Sequence, residues 1–319
     1  MNFKIEFPIQ APDSLLNFES RYFFAGSCFA ENIALKMKEL QMNQEFLAQG
    51  ILFNPISLSQ AFRQILNEEK PEENSILESK GIYLSWNHHG KIFHTDKHIL
   101  IKSLHQKNKE QLALLRQSNY LIVSFGSAYV YELIEQKRIV ANCHKVPASA
   151  FAKRKLSVAE IVENWTDLIQ RIKQINPSIK FIFTVSPVKY LKDGVHENNL
   201  SKSTLLLAVD ELCKINNNFY FPAYEIQTDE LRDYRFFAND LAHPNDNAIE
   251  YIWERFIGSY FDEDSKQAIV ELTNFKQMKR HRILHEGSEE HLLFKEKLNK
   301  KERELKVKYP FLKWDSLMD

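Results

Sequence analysis

The tripeptide Gly26-Ser27-Cys28 places two candidate nucleophiles where an apolar run ends and a helical pattern begins. A side chain at the start of a helix lies beside free backbone N–H groups and the positive end of the helix dipole. Those N–H groups can stabilise an oxyanion, and the same field would lower the pKa of a cysteine thiol. A serine would instead need a neighbouring base. Taken alone, the tripeptide favours a simpler alternative, in which Gly26 makes the turn and Ser27 caps the helix.

A candidate base stands near the other end of the chain, in the segment 240–244, whose sequence is Asp-Leu-Ala-His-Pro. An aspartate three residues before a histidine can hold one ring nitrogen and leave the other to accept a proton. The alternative is that Asp240 caps the next helix and His243 packs beside the proline. Paired with a nucleophile at a strand end, the two motifs predict acyl transfer by Cys28 or Ser27 with His243 as base.

The elements between these motifs must bring them together. Apolar runs typical of buried strands lie at residues 21–25, 50–54, 120–125, 138–141, 180–185 and 220–222. Helical patterns between them predict a three-layer α/β/α fold with a mainly parallel sheet. Ligands bind such sheets at the carboxyl ends of the strands. Gly26, Asn54, Gly126, Ser186 and the loop 240–243 are all predicted to lie at that edge.

Two segments do not follow the alternation of strands and helices. Residues 81–101 predict a hairpin around His89-Gly90. From residue 262 onward charge becomes dense, and Ser288 begins a helical pattern that ends near Tyr309. We therefore predict an α/β domain at residues 1–261 and a charged helical extension at 262–319, which packs on the domain or on a partner.

The composition argues against several classes of protein. The chain of 319 residues has 42 basic and 42 acidic residues, so no net field attracts nucleic acid or an anionic membrane. No segment is apolar for long enough to cross a bilayer, and the N-terminal residues lack a leader pattern. The three cysteines suggest no disulfide framework. We expect a cytoplasmic protein without nucleic-acid or membrane partners, and the oligomeric state stays open.

Several polar residues are candidates for other kinds of site. Six could suggest a metal: His88, His89, His94, His98, Cys143 and His144. The tight paired spacing of zinc ligands is missing, so we expect no metal and no cofactor, and we expect His94 to line a substrate pocket. Arg232 and Arg235 could hold a substrate carboxylate or phosphate. Such arginines more often pair with local acids such as Asp229 and Asp233.

Further motifs along the chain resemble one known family. The signature Gly-Ser-Cys-Phe-Ala stands intact at residues 26–30. The resemblance continues at residues 53–55, 125–131, 142–145, 186–188, 199–203, 220–225 and 231–236. Together these motifs cover most of residues 20–260, and the chain is identified as a member of the GSCFA family, which takes its name from the signature.

The resemblance implies a fold and a class of mechanism but no substrate. The family is grouped with SGNH hydrolases, which are esterases and acyltransferases on a flavodoxin-like sheet. It therefore implies a flavodoxin-like α/β/α catalytic domain at residues 1–261. The wider superfamily has Gly-Asp-Ser at the nucleophile turn. Alignment on Gly26 makes Cys28 the nucleophile, which we favour, whereas alignment on residue type makes it Ser27.

The superfamily builds its oxyanion hole from a glycine N–H and an asparagine side chain. By resemblance, Asn54 follows the second strand, where the superfamily glycine would lie. Gly126 follows the next strand, with Ser127 where an asparagine is usual. The backbone after Gly26 supplies a further donor, and Asn142 either supplies the missing amide or closes its own turn.

We therefore expect an acyl-ester hydrolase that uses Cys28 or Ser27 with Asp240 and His243 and acts on a small-molecule or glycan ester. One alternative is an acyltransferase that moves an acyl group from a thioester donor to a hydroxyl. Another is a non-catalytic binding protein that retains the pocket.

Overall fold

A computed structural model describes residues 4–215, 218–280, 287–312 and 314. The strands in chain order are β1 (Arg21–Gly26), β2 (Asn43–Phe46), β3 (Ile76–Ser79), β4 (Ile82–Ser85), β5 (Phe93–His94), β6 (Tyr120–Phe125), β7 (Tyr129–Leu133), β8 (Arg138–Val140), β9 (Phe151–Lys155), β10 (Lys180–Val185) and β11 (Phe219–Tyr220). The helices are α1 (Cys28–Glu39), α2 (Pro55–Leu66), α3 (Lys97–Gln117), α4 (Val158–Ile175), α5 (Val195–Lys214), α6 (Ala223–Glu225), α7 (Asp246–Tyr260), α8 (Glu263–Arg280) and α9 (Glu289–Lys308). A π-helical turn, Ile226–Glu230, continues α6.

Five parallel strands form the central sheet in the order β11-β10-β6-β1-β2. Counted along the chain, these strands have the order 2-1-3-4-5, which is that of flavodoxin-like sheets. The predicted flavodoxin-like three-layer α/β/α fold is therefore confirmed. The strand order reverses between β1 and β6, and a crevice for ligands opens at the carboxyl ends of the strands at such a switch point.

Strand β6 is buried along its whole length, and all its residues except Ser124 are apolar or aromatic, because helices cover both faces of the sheet. Tyr120 and Ile122 belong to a hydrophobic cluster that includes buried residues of α1, α7 and α8. Leu121 and Val123 belong to a second cluster, shared with α2, α4 and α5. Alternate side chains thus enter opposite layers, as the pleat of a strand requires.

Two small antiparallel sheets flank the central one, in the orders β3-β4-β5 and β8-β7-β9. The predicted hairpin at residues 81–101 is present in part: β4 pairs with β5, but residues 97–101 already belong to α3. The predicted strand at 50–54 is wrong, because β2 ends at Phe46 and these residues are irregular. Leu52 is fully buried, so the segment is apolar through burial rather than through strand pairing.

The C-terminal helices share a core with the sheet. Helix α8 begins soon after α7 ends, and its Leu272 and Phe275 belong to the same cluster as Phe24 of β1. Leu305 of α9 joins this cluster too. Of the predicted extension, residues 281–286, 313 and 315–319 lie outside the described residues. The boundary at residues 261 and 262 stays a prediction.

No helix in the described ranges has the length and apolarity needed to cross a membrane.

Candidate active site

A cavity of about 380 Å³ opens at the carboxyl ends of the central strands, beside the switch point between β1 and β6. We call it the Cys28 cavity. Its lining residues are Ser27, Cys28, Phe53, Asn54, Gly126, Ser127, Tyr129, Tyr131, Val140, Ala141, Asn142, Cys143, Ser186, Val188, Lys189, Tyr190 and His243. Residues from distant parts of the chain therefore meet here because their strands end at one edge of the sheet.

The turn from β1 to α1 depends on glycine. Gly26 has φ +128°, and a β-carbon placed on it would overlap the carbonyl oxygen of Ser124 on the neighbouring strand. Only glycine combines that backbone angle with so close an approach. The turn delivers Ser27 to the N-cap position and Cys28 to the first residue of α1.

The two candidate nucleophiles differ in how free their side chains are. Ser27 is 1% exposed, and its hydroxyl shares a hydrogen bond of 2.8 Å with that of Ser124. The sequence suggested that Ser27 caps α1. Ser27 does occupy the N-cap position, but its side chain makes no capping hydrogen bond. Cys28 is half-buried and lines the cavity.

Burial raises the pKa of the Cys28 thiol, although the backbone N–H groups of Phe29 and of Cys28 itself lower it. The expectation of a lowered pKa is therefore wrong, because loss of solvent outweighs the helix N-terminus. A neutral thiol is the resting form around neutral pH, and its proton must be removed before sulfur can act as a nucleophile.

Asp240 and His243 form the predicted pair. His243 Nδ1 lies 2.6 Å from Asp240 Oδ2, and the carboxylate also accepts the backbone N–H groups of Ala242 and His243. Chiefly through the backbone N–H groups, these donors lower the pKa of Asp240 to about 2. Asn245, rather than Asp240, caps α7. The ring of His243 is thus held by Nδ1, which leaves Nε2 for chemistry.

His243 and Cys28 line the same cavity. In the described part of the chain, no hydrogen bond joins His243 to Cys28 or to Ser27. Such gaps are common in proteins without substrate, where the reacting groups close on the ligand.

Most of the predicted oxyanion donors already donate hydrogen bonds to other groups of the protein. The backbone N–H groups of Gly126 and Ser127 both donate to the carbonyl of Phe53, at 2.8 and 3.0 Å. Asn54 caps α2, since its Oδ1 accepts the N–H of Ser57 and its Nδ2 donates to the hydroxyl of that serine. Neither backbone N–H is available to an oxyanion in this conformation.

The predicted donor after Gly26 is engaged as well, because the backbone N–H of Ser27 donates to the carbonyl of Ser124 at 3.2 Å.

Asn142 retains a free donor at the cavity wall. Its Oδ1 accepts the N–H of His144 at 2.8 Å, which closes the turn as one alternative proposed. Its Nδ2 donates to no partner among the residues described. The two roles suggested for Asn142 are therefore compatible.

His94 does not line the Cys28 cavity. It lies on β5, paired with Tyr83, and its Nδ1 accepts the backbone N–H of Asp96 at 2.8 Å. The ring therefore forms part of the turn into α3. The prediction that His94 lines the substrate pocket is not met by the Cys28 cavity.

Lys202 is a residue whose role the sequence did not reveal. Its side chain is buried, and Nζ donates to the carbonyls of Gly126 and Ser186, at 2.8 and 2.7 Å. No carboxylate pairs with it in the ranges described, and burial lowers its pKa to about 7. A negative charge on Cys28 raises that pKa, so the two groups are electrostatically coupled. A buried lysine has no sequence signature, although its motif at 199–203 belongs to the resemblance.

Within the described ranges, no cluster of three or more histidine, cysteine or acidic residues could hold a metal ion. His88 instead shares a hydrogen bond of 2.8 Å with the Ser85 hydroxyl, and burial lowers its pKa to about 3. His144 shares one of 2.8 Å with the Ser85 carbonyl. These rings have structural partners.

Comparison with known families matches residues 21–256, more than half of the chain, to the model of the GSCFA family. The matched range includes every residue that lines the Cys28 cavity, and it ends before α8. Comparison with curated proteins finds no match to the chain.

Proposed function

We propose that this chain, which belongs to the GSCFA family, is an acyl-ester hydrolase of the SGNH type with Cys28 as its nucleophile. One observation carries the proposal. A thiol at a helix N-terminus and an aspartate-supported histidine, from opposite ends of the sequence, line one cavity at the switch point of the sheet. Nucleophilic acyl transfer needs that set of groups.

Cys28 is favoured over Ser27 because its side chain is available. Both residues line the cavity, but the Ser27 hydroxyl is buried and held by Ser124, whereas Cys28 is only half-buried. Sulfur at the first helical position also lies beside the N–H groups that can bind an oxyanion.

The reaction proceeds in two steps. His243 Nε2 takes the proton of the Cys28 thiol as sulfur attacks the ester carbonyl, and a C–S bond forms. The ester C–O bond breaks, and His243 returns the proton to the departing alcohol. Water, activated by the same nitrogen, then releases the acid and restores the thiol. Asp240 stays ionised and stabilises the imidazolium between these transfers.

Two further groups act on the charge that develops. The Lys202 ammonium, coupled to Cys28, stabilises the thiolate as it forms. The oxyanion meets the free N–H groups at the start of α1 and the unengaged Nδ2 of Asn142. Gly126 has no donor role here, because its N–H is already bonded to Phe53.

A transferase is the second candidate, and the cysteine favours it. If the donor is a thioester, formation of the acyl-enzyme exchanges one thioester for another and costs little free energy. A hydroxyl-bearing acceptor would then replace water in the second step.

The test is intact-protein mass spectrometry after brief exposure to p-nitrophenyl acetate. We expect an acetyl adduct in the wild type and in Ser27→Ala, and none in Cys28→Ala. His243→Ala should form the adduct roughly 10²–10⁴ times more slowly, which is the usual contribution of a general base. Cys143→Ala is the matched control, because this second thiol lines the same cavity and burial raises its pKa as well.

Loss of the adduct only in Ser27→Ala would move the nucleophile to serine. An adduct that survives in both Ser27→Ala and Cys28→Ala, or no adduct at all, would favour a binding protein that retains the pocket.

A further inference from the structure

A second concavity, of about 570 Å³, adjoins the Cys28 cavity. We call it the Arg232 groove. Lys189 lines both spaces, and its backbone N–H donates to the carbonyl of Ala242 at 3.0 Å. Leu241, two residues before His243, also lines the groove. The loop that carries the proposed base therefore borders both spaces, and the two spaces share Lys189 on their walls.

The groove carries positive charge that the protein does not neutralise. In the ranges that the structure describes, neither Arg232 nor Lys189 has a carboxylate partner. Asp233 is the one acidic residue of the lining, and it pairs with Arg235, Nε to Oδ2 3.1 Å. The sequence left open whether Arg232 and Arg235 pair with local acids or hold a ligand. In the structure Arg235 pairs with Asp233, whereas Arg232 has no acidic partner among the described residues.

The groove also offers an exposed ring and a buried acceptor. Tyr234 is 70% exposed, and Nζ of Lys189 lies 5.7 Å from its ring centroid and 4.2 Å from that of Phe237. Gln227 is fully buried, and its Oε1 has no hydrogen-bond partner among the described residues. A buried acceptor without a partner calls for an explanation, and at this wall an N–H or O–H of a ligand would supply the missing partner.

We propose that the Arg232 groove binds the phosphate-bearing part of an acyl thioester whose acyl group reaches Cys28. Arg232 presents a planar fork that matches phosphate oxygens, and Lys189 adds a point charge on the side nearer the cavity. Tyr234 supplies a face on which a planar group of the donor stacks. The proposal rests on the proposed acyl transfer through Cys28, in the transferase form in which the donor is a thioester, and it gives that form a class of substrate.

Transfer of the acyl group from such a donor to Cys28 is an exchange between two thioesters. The donor thioester and the Cys28 thiol exchange partners, so a C–S bond forms to Cys28 as the donor C–S bond breaks. The proton of the Cys28 thiol passes through His243 to the departing donor thiol. No oxidant or further reactant is needed.

The test compares acetyl-pantetheine with acetyl-4′-phosphopantetheine, which differ only by the phosphate. The rate of acetyl transfer to Cys28 is followed by mass spectrometry at rising concentrations of each donor. In the wild type we expect kcat/KM to favour the phosphorylated donor by about tenfold or more, through KM, since a charge-assisted hydrogen bond contributes at least that factor. Arg232→Gln should remove most of this preference.

Arg116→Gln is the matched control. Arg116 is exposed in the last turn of α3, at the opposite edge of the sheet, and the substitution removes the same charge. We expect it to retain the wild-type preference. Equal kcat/KM for the two donors in the wild type, or equal loss in both variants, would overturn the proposal.

A second measurement needs no turnover. Calorimetry with inorganic pyrophosphate should show binding to the wild type and to Arg116→Gln, and at least about fivefold weaker binding to Arg232→Gln. Binding that depends on Arg232 without acetyl transfer from either donor would contradict the proposed function and support the groove as an anion site. Acetyl transfer without a phosphate preference would support the proposed function and overturn the groove.

Discussion

Burial shifts the pKa values of Cys28 and Lys202 in opposite directions. It raises the pKa of the thiol and lowers the pKa of the amine to about 7, because in each case the charged form is the one that loses solvent. A thiolate beside an ammonium reduces both penalties. The charge pair is therefore most favourable when Cys28 gives up its proton, which is the step at which the proposed reaction needs it.

The depressed pKa of Lys202 has a consequence for stability. In the unfolded chain a lysine keeps its proton up to about 10.5, whereas the folded protein releases it near 7. Between these values the unfolded chain binds more protons, so raising the pH favours the folded state. Below about pH 7 both states are protonated, and the cost of burying the charge is present in full.

We therefore expect wild type and Lys202→Met to differ in the pH dependence of unfolding. From about pH 7 to about pH 9, the free energy of unfolding of the wild type should rise relative to that of the variant by up to about 1.4 kcal/mol per pH unit. Urea titrations at several pH values measure it. Parallel curves for the two proteins would mean that Lys202 titrates as an ordinary exposed lysine.

At the scale of single elements, the turn between β1 and α1 positions Cys28, the proposed nucleophile. Gly26 needs both a positive φ and the space beside Ser124, and neither is available to alanine. Gly258 is the contrasting case: it lies exposed within α7, and a β-carbon there meets nothing within 4 Å.

Gly26→Ala and Gly258→Ala should move stability in opposite directions. The first is expected to lower the free energy of unfolding by at least about 2 kcal/mol, through strain and overlap. The second should raise it by up to about 1 kcal/mol, since alanine has the higher helix propensity. Denaturant-induced unfolding of both variants measures these changes in free energy. Equal destabilisation by Gly258→Ala and Gly26→Ala would contradict this account of the turn.

The sequence predicts elements well where one physical cause dominates. Strands such as β6 and β10 are recognisable because burial on both faces leaves a nearly continuous apolar run, interrupted only near its ends. The segment 50–54 has the same composition for another reason, since its apolar residues are buried in an irregular connection. Helix α3 was not predicted, because most of its surface is polar and only a narrow stripe is buried.

In the candidate site, too, the sequence predicts local features and misses those that depend on contacts between distant segments. The Asp240–His243 pair is local, so spacing alone predicts it, and the structure has the hydrogen bond. Lys202 and the engaged N–H of Gly126 depend on contacts between distant segments, which spacing does not encode. The pKa of Cys28 was predicted with the wrong sign because its burial depends on how the loops cover the strand ends.

At the scale of the whole molecule, the sheet needs cover on both faces, and α8 supplies part of it. Leu272 and Phe275 are fully buried in the cluster that contains Tyr22 and Phe24 of β1. The charged composition of the C-terminal region describes its outer surface, while a few apolar residues face inward. The family match ends before α8, yet α8 packs into the same core as the matched range.

Phe275→Ala tests whether this region is part of the fold or a separable extension. Phe275 is 1% exposed, and the substitution should lower the free energy of unfolding by about 3–5 kcal/mol, the usual cost of removing a buried aromatic ring. Val270→Ala on the same helix is the control: that side chain is 57% exposed, and a change within about 0.5 kcal/mol is expected. If the two variants unfold alike, α8 does not contribute to the core of the α/β domain, and the predicted boundary at residue 262 marks a true appendage. If Phe275→Ala alone is destabilised, the region from 262 is required to complete one face of the sheet, and hence to hold β1 and the turn to Cys28 at its end.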